Sequence, residues 1–286
     1  MKTTNLIIYF LLAVIIAFGL SIYFHSRVDD LIVSEPEILD PLQEPLKRPV
    51  VRYPVPDSVP APELSPAEQP PIAEVSPSPL NDPLGDLPES LPAIGQSDAL
   101  VDQALTGLLG GRYFSNLVIV NSFIQRLVLT INNLPEKKLP LAHIPFEFPE
   151  GGFVAAGEEE RLRISPENYQ RYAPYLDLLE HTNPDTVIRV YVYLYPLLQT
   201  AYQQLGYPNA YFNDRLVYVL AHLLETPNPD DPLALERPSV NYTYADPTLE
   251  NLSAGQKILL RMGQEQRTRV MSVLRNYHFR LTRLLP

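Results

Sequence analysis

Histidines are the first residues to test for chemistry, because imidazole serves both as a general base and as a metal ligand. The chain has five, and no two of them stand in the HExxH arrangement of a zinc-binding helix. His222 and Glu225 lie one helical turn apart, a spacing that two metal ligands can share. Two ligands do not complete a metal site. We therefore predict no metal and no cofactor, and interpret the pair as part of a solvated helix face.

Motifs for nucleophilic catalysis are missing from the sequence. The chain has no cysteine, no GxSxG elbow and no Walker loop for phosphate. Ser253 is followed by Gln256 where the SxxK motif of penicillin-recognising enzymes has lysine, and Lys257 stands one residue late. Carboxylates such as Asp214 and Asp231 could still form an acid and base pair in space. A carboxylate-based hydrolase of cell-wall polymer is therefore the alternative function, with no catalytic residue assigned.

Tyrosines and polar residues are concentrated between residues 191 and 227. Seven tyrosines fall in this stretch, and Asn213, Asp214 and Arg215 stand together at an expected helix start. Rings at helical spacing usually belong to a core, but tyrosine hydroxyls also make good contacts at protein interfaces. We predict a polar cluster that serves binding or structure, formed by Tyr195, Tyr202, Tyr207, Asn213, Asp214 and Arg215.

The C-terminal segment is rich in arginine, with Glu265 as the one acidic residue among six arginines and His278. Cations are favourable near the C-terminal end of a helix dipole, which explains part of this bias. The sharper interpretation is a surface for anionic lipid, for an envelope polymer or for the chain's own acidic linker. The candidate basic strip consists of Arg267, Arg269, Arg275 and Arg280.

Two apolar helices are predicted to position the polar cluster. The first runs over residues 184–205 and is closed by Gly206. The second is capped by Asn209 or Asn213 and stops before Pro227. This pair is the densest part of the chain, and we expect the rest of the domain to pack around it.

Further helices and a little β structure are predicted around this pair. Apolar spacing and capping residues favour a helix over 98–109, a longer one over 113–134 and two more after Ser253. A short hairpin is expected around Gly157 and a strand at residues 240–244. The predicted domain, residues 98–286, is therefore mainly α and compact, with a small β hairpin or ribbon.

The N-terminal part of the chain is predicted to anchor this domain to a membrane. Residues 6–24 are uncharged and apolar, and at about 1.5 Å per residue they match the roughly 30 Å hydrocarbon core. Lys2 precedes the run and an acidic tract follows, which favours a cytoplasmic N-terminus. The fold class thus includes a single-span transmembrane helix in an anchor at residues 1–27, with a cleaved signal peptide as the alternative.

Residues 28–97 are predicted to be a disordered linker. Sixteen of the chain's 31 prolines fall here, together with most of its excess of acidic residues. Proline fixes φ and removes a hydrogen-bond donor, so polyproline II and disorder are favoured over a packed core. The linker would hold the domain away from the bilayer.

Partners can also be predicted from this organisation. Ala13, Ala17 and Ser21 repeat at every fourth position, a pattern that lets two membrane helices approach closely and predicts a homodimer. With the N-terminus in the cytoplasm, the domain would face the periplasm of a bacterial inner membrane. This location argues against nucleic acid and favours a protein partner in the envelope.

Two stretches resemble a known family. They are YPLLQTAYQQLGYPNAYFNDRLVYVLAHLLETP at residues 195–227 and ADPTLENLSAGQKILLRMG at residues 245–263, and they are similar to a proteobacterial family catalogued as domain of unknown function 3014. The resemblance covers roughly residues 98–284. It implies a single-span, proline-linked envelope protein and no catalytic residues. The predicted function is an inner-membrane-anchored, periplasm-facing interaction or scaffolding protein, and the envelope hydrolase is the alternative.

Overall fold

Helices form most of the structure, because apolar residues recur at helical spacing along the chain. The structure is a computed structural model, and it describes residues 52–57, 87–88, 90–109, 118–147, 151–158, 161–172, 176, 184–239 and 241–284. The α-helices in these residues are α1 (Asp98–Leu109), α2 (Phe123–Asn133), α3 (Glu167–Gln170), α4 (Pro184–Gln204), α5 (Phe212–Leu224), α6 (Pro247–Glu250), α7 (Ala254–Arg261) and α8 (Gly263–Leu281). The strands are β1 (Ala155–Ala156), β2 (Arg163–Ile164), β3 (Leu235–Glu236) and β4 (Thr243–Tyr244).

The two predicted apolar helices, α4 and α5, form the centre of the main core. Buried side chains such as Tyr191, Leu194 and Leu198 recur along α4 at intervals of three and four residues. Gly206 follows α4 with a φ of 104°, a left-handed conformation that only glycine adopts without strain. Helix α2 packs against both central helices, and α8 packs against α5. The prediction that this helix pair lies at the core is confirmed.

Short antiparallel ribbons cover a second, smaller core. Strand β1 pairs with β2, and β3 pairs with β4. A single bridge between Arg163 and Ala234 joins the two ribbons. At the tip of the first ribbon Gly157 has a φ of 101°, and a Cβ there would lie 2.5 Å from the carbonyl oxygen of Arg161. This is the hairpin that the sequence predicts around Gly157.

The prediction of one long helix over residues 113–134 is wrong for its N-terminal part. Helix α2 begins only at Phe123, and Ser122 before it has a φ of 53°. Val118 instead makes an antiparallel bridge with Phe146, and the N–H of Ile119 donates to the carbonyl of Pro145 at 2.9 Å. The run of β-branched residues at 118–120 suits this extended pairing, which local spacing alone does not reveal.

The membrane-spanning part of the predicted fold class is also corrected. Among the described residues, no helix combines the length and the apolar character that crossing a bilayer requires. The described fold is a mainly helical domain with small β ribbons, and a transmembrane helix is not part of it. The run at residues 6–24, with Ala13, Ala17 and Ser21, lies outside the described residues.

Parts of the predicted linker lie against the domain. Residues 52–57 contact the start of α5, and Tyr53 and Val55 pack against the main core. Leu91 also packs there, and the hydroxyl of Tyr193 donates to the carbonyl of Pro88 at 2.6 Å. These stretches therefore have partners in the domain, although the limits of the three regions stay a prediction. We refer to residues 52–57 as the docked segment.

Candidate functional site

The site is built where α5 begins, beside the middle of α4. The first N–H groups of a helix have no partner within it and need an outside acceptor. Here Gln199 of α4 supplies one, since its side-chain oxygen accepts from the N–H of Phe212 at 2.8 Å. The same oxygen accepts from the hydroxyl of Tyr195 at 3.0 Å, while the amide nitrogen donates to Ala210 at 2.8 Å. The helix start is thus held from α4.

Asn213 is not the cap that the sequence predicts, because Tyr211 occupies that position and Asn213 lies within the first turn of α5. Its side chain is fully buried, and its Oδ1 accepts from the hydroxyl of Tyr191 at 2.8 Å. Burial raises the pKa of Tyr191 well above its ordinary value, so this hydroxyl stays protonated and donates. The bond fixes the amide, and Nδ2 then donates to the carbonyl of Tyr53 at 2.9 Å.

Asp214 binds the other backbone group of the same residue. Its Oδ1 accepts from the N–H of Tyr53 at 2.7 Å. Burial raises the pKa of Asp214 above its ordinary value, whereas the Tyr53 N–H and the nearby Arg52 favour the carboxylate and act in the opposite direction. Adjacent residues of α5 therefore hold both the donor and the acceptor of one residue of the docked segment.

Residues 52–55 of the docked segment lie on the domain by one face. Tyr53 and Val55 are half-buried, whereas Arg52 and Pro54 between them are exposed. This alternation is typical of an extended chain, in which every second side chain points the same way. The guanidinium of Arg52 lies over the ring of Tyr211, 3.1 Å from its centre. A cation over an aromatic face is attracted by the ring's quadrupole, so this contact adds to the backbone bonds.

Tyrosines form the edge of the site. The ring of Tyr207 stacks on Tyr202 with their centres 4.8 Å apart, and Tyr202 meets Phe212 edge-on. Tyr202 is buried, while Tyr207 and Tyr211 keep 41% and 39% of their surface exposed. Burial raises the pKa of Tyr195 and of Tyr202 to about 12, so both hydroxyls are neutral donors at neutral pH.

The predicted polar cluster is therefore only partly a single site. Asn213 and Asp214 contact the docked segment. Tyr195 donates to the side chain of Gln199, which binds the start of α5 next to them. Tyr202 and Tyr207 form a stacked pair at the edge. Arg215 has a different role, since its guanidinium donates to the carbonyl of Asn132 at 2.5 Å and so ties α5 to the end of α2.

The predicted basic strip does not form one surface. Arg267 is fully buried, and its guanidinium donates to Asn228 Oδ1 and to the carbonyl of Pro229, both at 2.8 Å. It follows the same helical spacing as the buried Val270 and Leu274, which explains why it faces inward. The three other members differ from it: Arg269 donates to Gln266, Arg280 is paired with Asp185 and Asn276, and Arg275 is exposed.

His222, a candidate metal ligand by sequence, holds two helices together. Its Nε2 lies 2.9 Å from the hydroxyl of Ser253. Ser253 is buried and forms a capping box with Gln256 at the start of α7, as the sequence predicts for this cap. The described residues contain no group of three or more side chains arranged to hold a metal ion. The contact of His222 with Ser253 links α5 to the start of α7.

Sequence reasoning missed the residues that complete the site. Gln199 contacts residues 11 and 13 positions away, and Tyr53 contacts residues 160 and 161 positions away. One signal was available, because Tyr53 is the only aromatic residue between residues 28 and 97. An aromatic ring isolated in a proline-rich segment is a candidate anchor for docking on a domain.

Comparison with known proteins gives one match. The model of a family described as "Protein of unknown function (DUF3014)" matches residues 123–278, which is more than half of the chain. This range includes α4, α5 and the residues of the site on them, and the docked segment lies outside it. No curated protein and no solved structure matches the chain. The chain belongs to this family of proteins of unknown function, DUF3014.

Proposed function

We propose that the domain is an interaction module that holds an extended peptide at the start of α5. The observation that carries the proposal is the docked segment, whose Tyr53 is bound through both backbone groups by Asn213 and Asp214. The proposal keeps the interaction or scaffolding role expected from the sequence. The periplasmic location and the envelope protein partner stay predictions.

The chemistry of the site suits an extended, proline-containing ligand. Recognition of an N–H and a C=O of one residue selects an extended backbone, and contacts with alternate side chains add specificity. Pro54 and Pro56 stiffen the segment, so less conformational entropy is lost when it docks. An exposed tyrosine in contact with the bound segment, here Tyr211, is typical of surfaces that recognise such peptides.

Three carboxylates near the described helices bind other groups of the protein itself. Asp214 accepts from Tyr53, Asp246 accepts from Thr248 at the start of α6, and Glu250 pairs with Lys257 at 2.9 Å. In the part of the chain that the structure describes, no observation favours the hydrolase alternative over binding.

A photo-crosslinking amino acid at Tyr211 of the full chain tests the proposal. In the purified protein we expect the adduct to map to residues 52–57, since Arg52 lies directly over this ring. Asp214→Ala removes the acceptor for the Tyr53 N–H and should reduce the adduct several-fold. The matched control places the probe at Val154, which is similarly exposed beside β1 and should give no adduct with the segment. An adduct at Tyr211 that Asp214→Ala leaves unchanged would contradict the proposed site.

A further inference from the structure

The docked segment occupies the site that a partner would need. We propose that residues 52–57 are an internal competitor, and that the ligand they imitate is a partner peptide in which a basic residue, an aromatic residue and a proline follow one another. This inference rests on the proposed function, because it assigns both the ligand class and the regulation of the same site.

Arg52, Tyr53 and Pro54 contribute to the docking in different ways. The basic side chain lies on the face of Tyr211, where a cation is attracted and a carboxylate is not. The aromatic residue packs against the main core and offers its backbone to Asn213 and Asp214. Proline follows at a position that needs no N–H donor in the site, and it keeps the chain extended.

The site needs an occupant. Asn213 is fully buried, and its Nδ2 would lose its 2.9 Å acceptor if the segment left, keeping only a 3.5 Å contact with the carbonyl of Leu281. A donor at such a position is stabilised by a well-placed acceptor. Asp214 would lose its backbone donor and the nearby Arg52 together. In the empty site water would have to supply these partners, whereas a ligand with the same groups replaces the bonds to the segment directly.

The contact with the segment is small enough to be exchanged. Within the docked segment Arg52, Pro54 and Asp57 remain exposed, and the half-buried residues contact the domain from its surface. Residues 58–86 connect the segment to Leu87, where the chain again packs against the core. Because the segment belongs to the same chain as the site, it binds as an intramolecular ligand. A free peptide with the same contacts must therefore displace the segment before it can bind.

A binding experiment on the full chain tests the competitor. The probe is a fluorescent nonapeptide with the sequence of residues 50–58, VVRYPVPDS. Tyr53→Pro in the protein removes the N–H that Asp214 accepts and so releases the internal segment. The matched control is Asp57→Pro, which adds a proline at an exposed position of the same segment. Fluorescence anisotropy measures the affinity, and circular dichroism confirms that each variant keeps its helices.

We expect Tyr53→Pro to bind the nonapeptide at least ten-fold more tightly than the wild type, and Asp57→Pro to behave like the wild type. Equal affinity of the wild type and Tyr53→Pro would overturn the internal competitor and leave the binding site itself intact. In the double variant Tyr53→Pro and Asp214→Ala, binding should be lost. Binding that survives in the double variant would overturn the proposed function instead.

A second copy of the chain is the other source of the same segment. Sedimentation of the wild type and of Tyr53→Pro over a hundred-fold range of concentration distinguishes the two sources. We expect both proteins to sediment alike, because the segment binds within its own chain. A dimer of the wild type that Tyr53→Pro abolishes would place the segment on a neighbouring copy and overturn the intrachain competitor.

Discussion

Burial decides what each arginine of α8 can do. Arg267 and Arg275 are eight residues apart on the same helix, yet the first is fully buried and the second is exposed. The buried guanidinium is bound by oxygens of Asn228 and Pro229 in the loop that follows α5. A buried charge persists only when such partners satisfy it. Arg267 therefore holds the loop to α8, a structural role that a count of charges does not show.

Arg267→Met should destabilise the domain strongly. The substitution removes the hydrogen bonds from the guanidinium to Asn228 and to the carbonyl of Pro229, and hydrogen bonds to a charged group contribute roughly 1.5–3 kcal/mol. Urea unfolding followed by circular dichroism measures the free energy. Arg275→Met makes the same chemical change at an exposed position and should stay within about 0.5 kcal/mol of the wild type. If the two variants lowered the free energy of unfolding equally, the hydrogen bonds of Arg267 to Asn228 and Pro229 would not stabilise the domain.

At the scale of elements, two polar contacts couple the end of α5 to the start of α7. His222 near the end of α5 reaches the hydroxyl of Ser253, which caps α7, and Gln256 donates back to the carbonyl of His222 at 3.3 Å. Burial lowers the pKa of His222 below its ordinary value, and Arg215 acts in the same direction, while Glu225 and Glu136 oppose it. The folded protein thus favours the neutral imidazole.

Stability should fall as the pH falls below about 6.5. The pKa of His222 is lower in the folded state than in the unfolded state, so its contribution is present above the unfolded pKa and is lost as the pH passes down through the folded one. Between pH 7.5 and 5.0 the Tm of His222→Gln should decrease less than that of the wild type, because glutamine does not titrate. His143→Gln makes the same substitution at an exposed histidine and serves as the control for the chemical change. If the Tm of His222→Gln fell with pH as steeply as that of the wild type, His222 would not be a cause of the pH dependence of stability.

For the helices that the sequence predicts correctly, the residues that mark a helix end lie within one or two turns of that end. Ser253 and Gln256 form a capping box three residues apart, so local chemistry alone marks the start of α7. Gly206 marks the end of α4 in the same way, through a φ of 104°. The N-terminal limit of α2 was predicted wrongly because the competing partner of Val118, Phe146, is 28 residues away.

The candidate site was harder to predict than the helices that form it. Asn213 and Asp214 were predicted as site residues, but their partner Tyr53 lies in a segment whose composition favours disorder. Asparagine is a common N-cap residue, yet here the side chain of Gln199 accepts from the N–H of Phe212 at the helix start. Asn213 is instead buried and accepts from the hydroxyl of Tyr191. Side-chain partners from distant segments decide such cases, and helical spacing contains no information about them.

At the scale of the whole molecule, α7 connects the two hydrophobic cores. Ile258 and Leu259 belong to the main core with α4 and α5. Leu260 belongs to the smaller core beneath the β ribbons, together with Ile164 and Leu235. Since one short helix presents neighbouring residues to both cores, neither core can lose its packing without disturbing the other.

Leu259→Ala and Leu260→Ala should therefore have matching effects on unfolding. Both side chains are almost completely buried, and a leucine truncated to alanine in a core costs about 2–5 kcal/mol. We expect each variant to shift a single cooperative transition, with the far-UV helix signal and tyrosine fluorescence changing at the same urea concentration. The two adjacent substitutions are controls for each other, since they remove the same atoms from different cores. If Leu260→Ala instead produced an early transition that left the helix signal intact, the ribbon region would be an independent unit and α7 would not couple the cores.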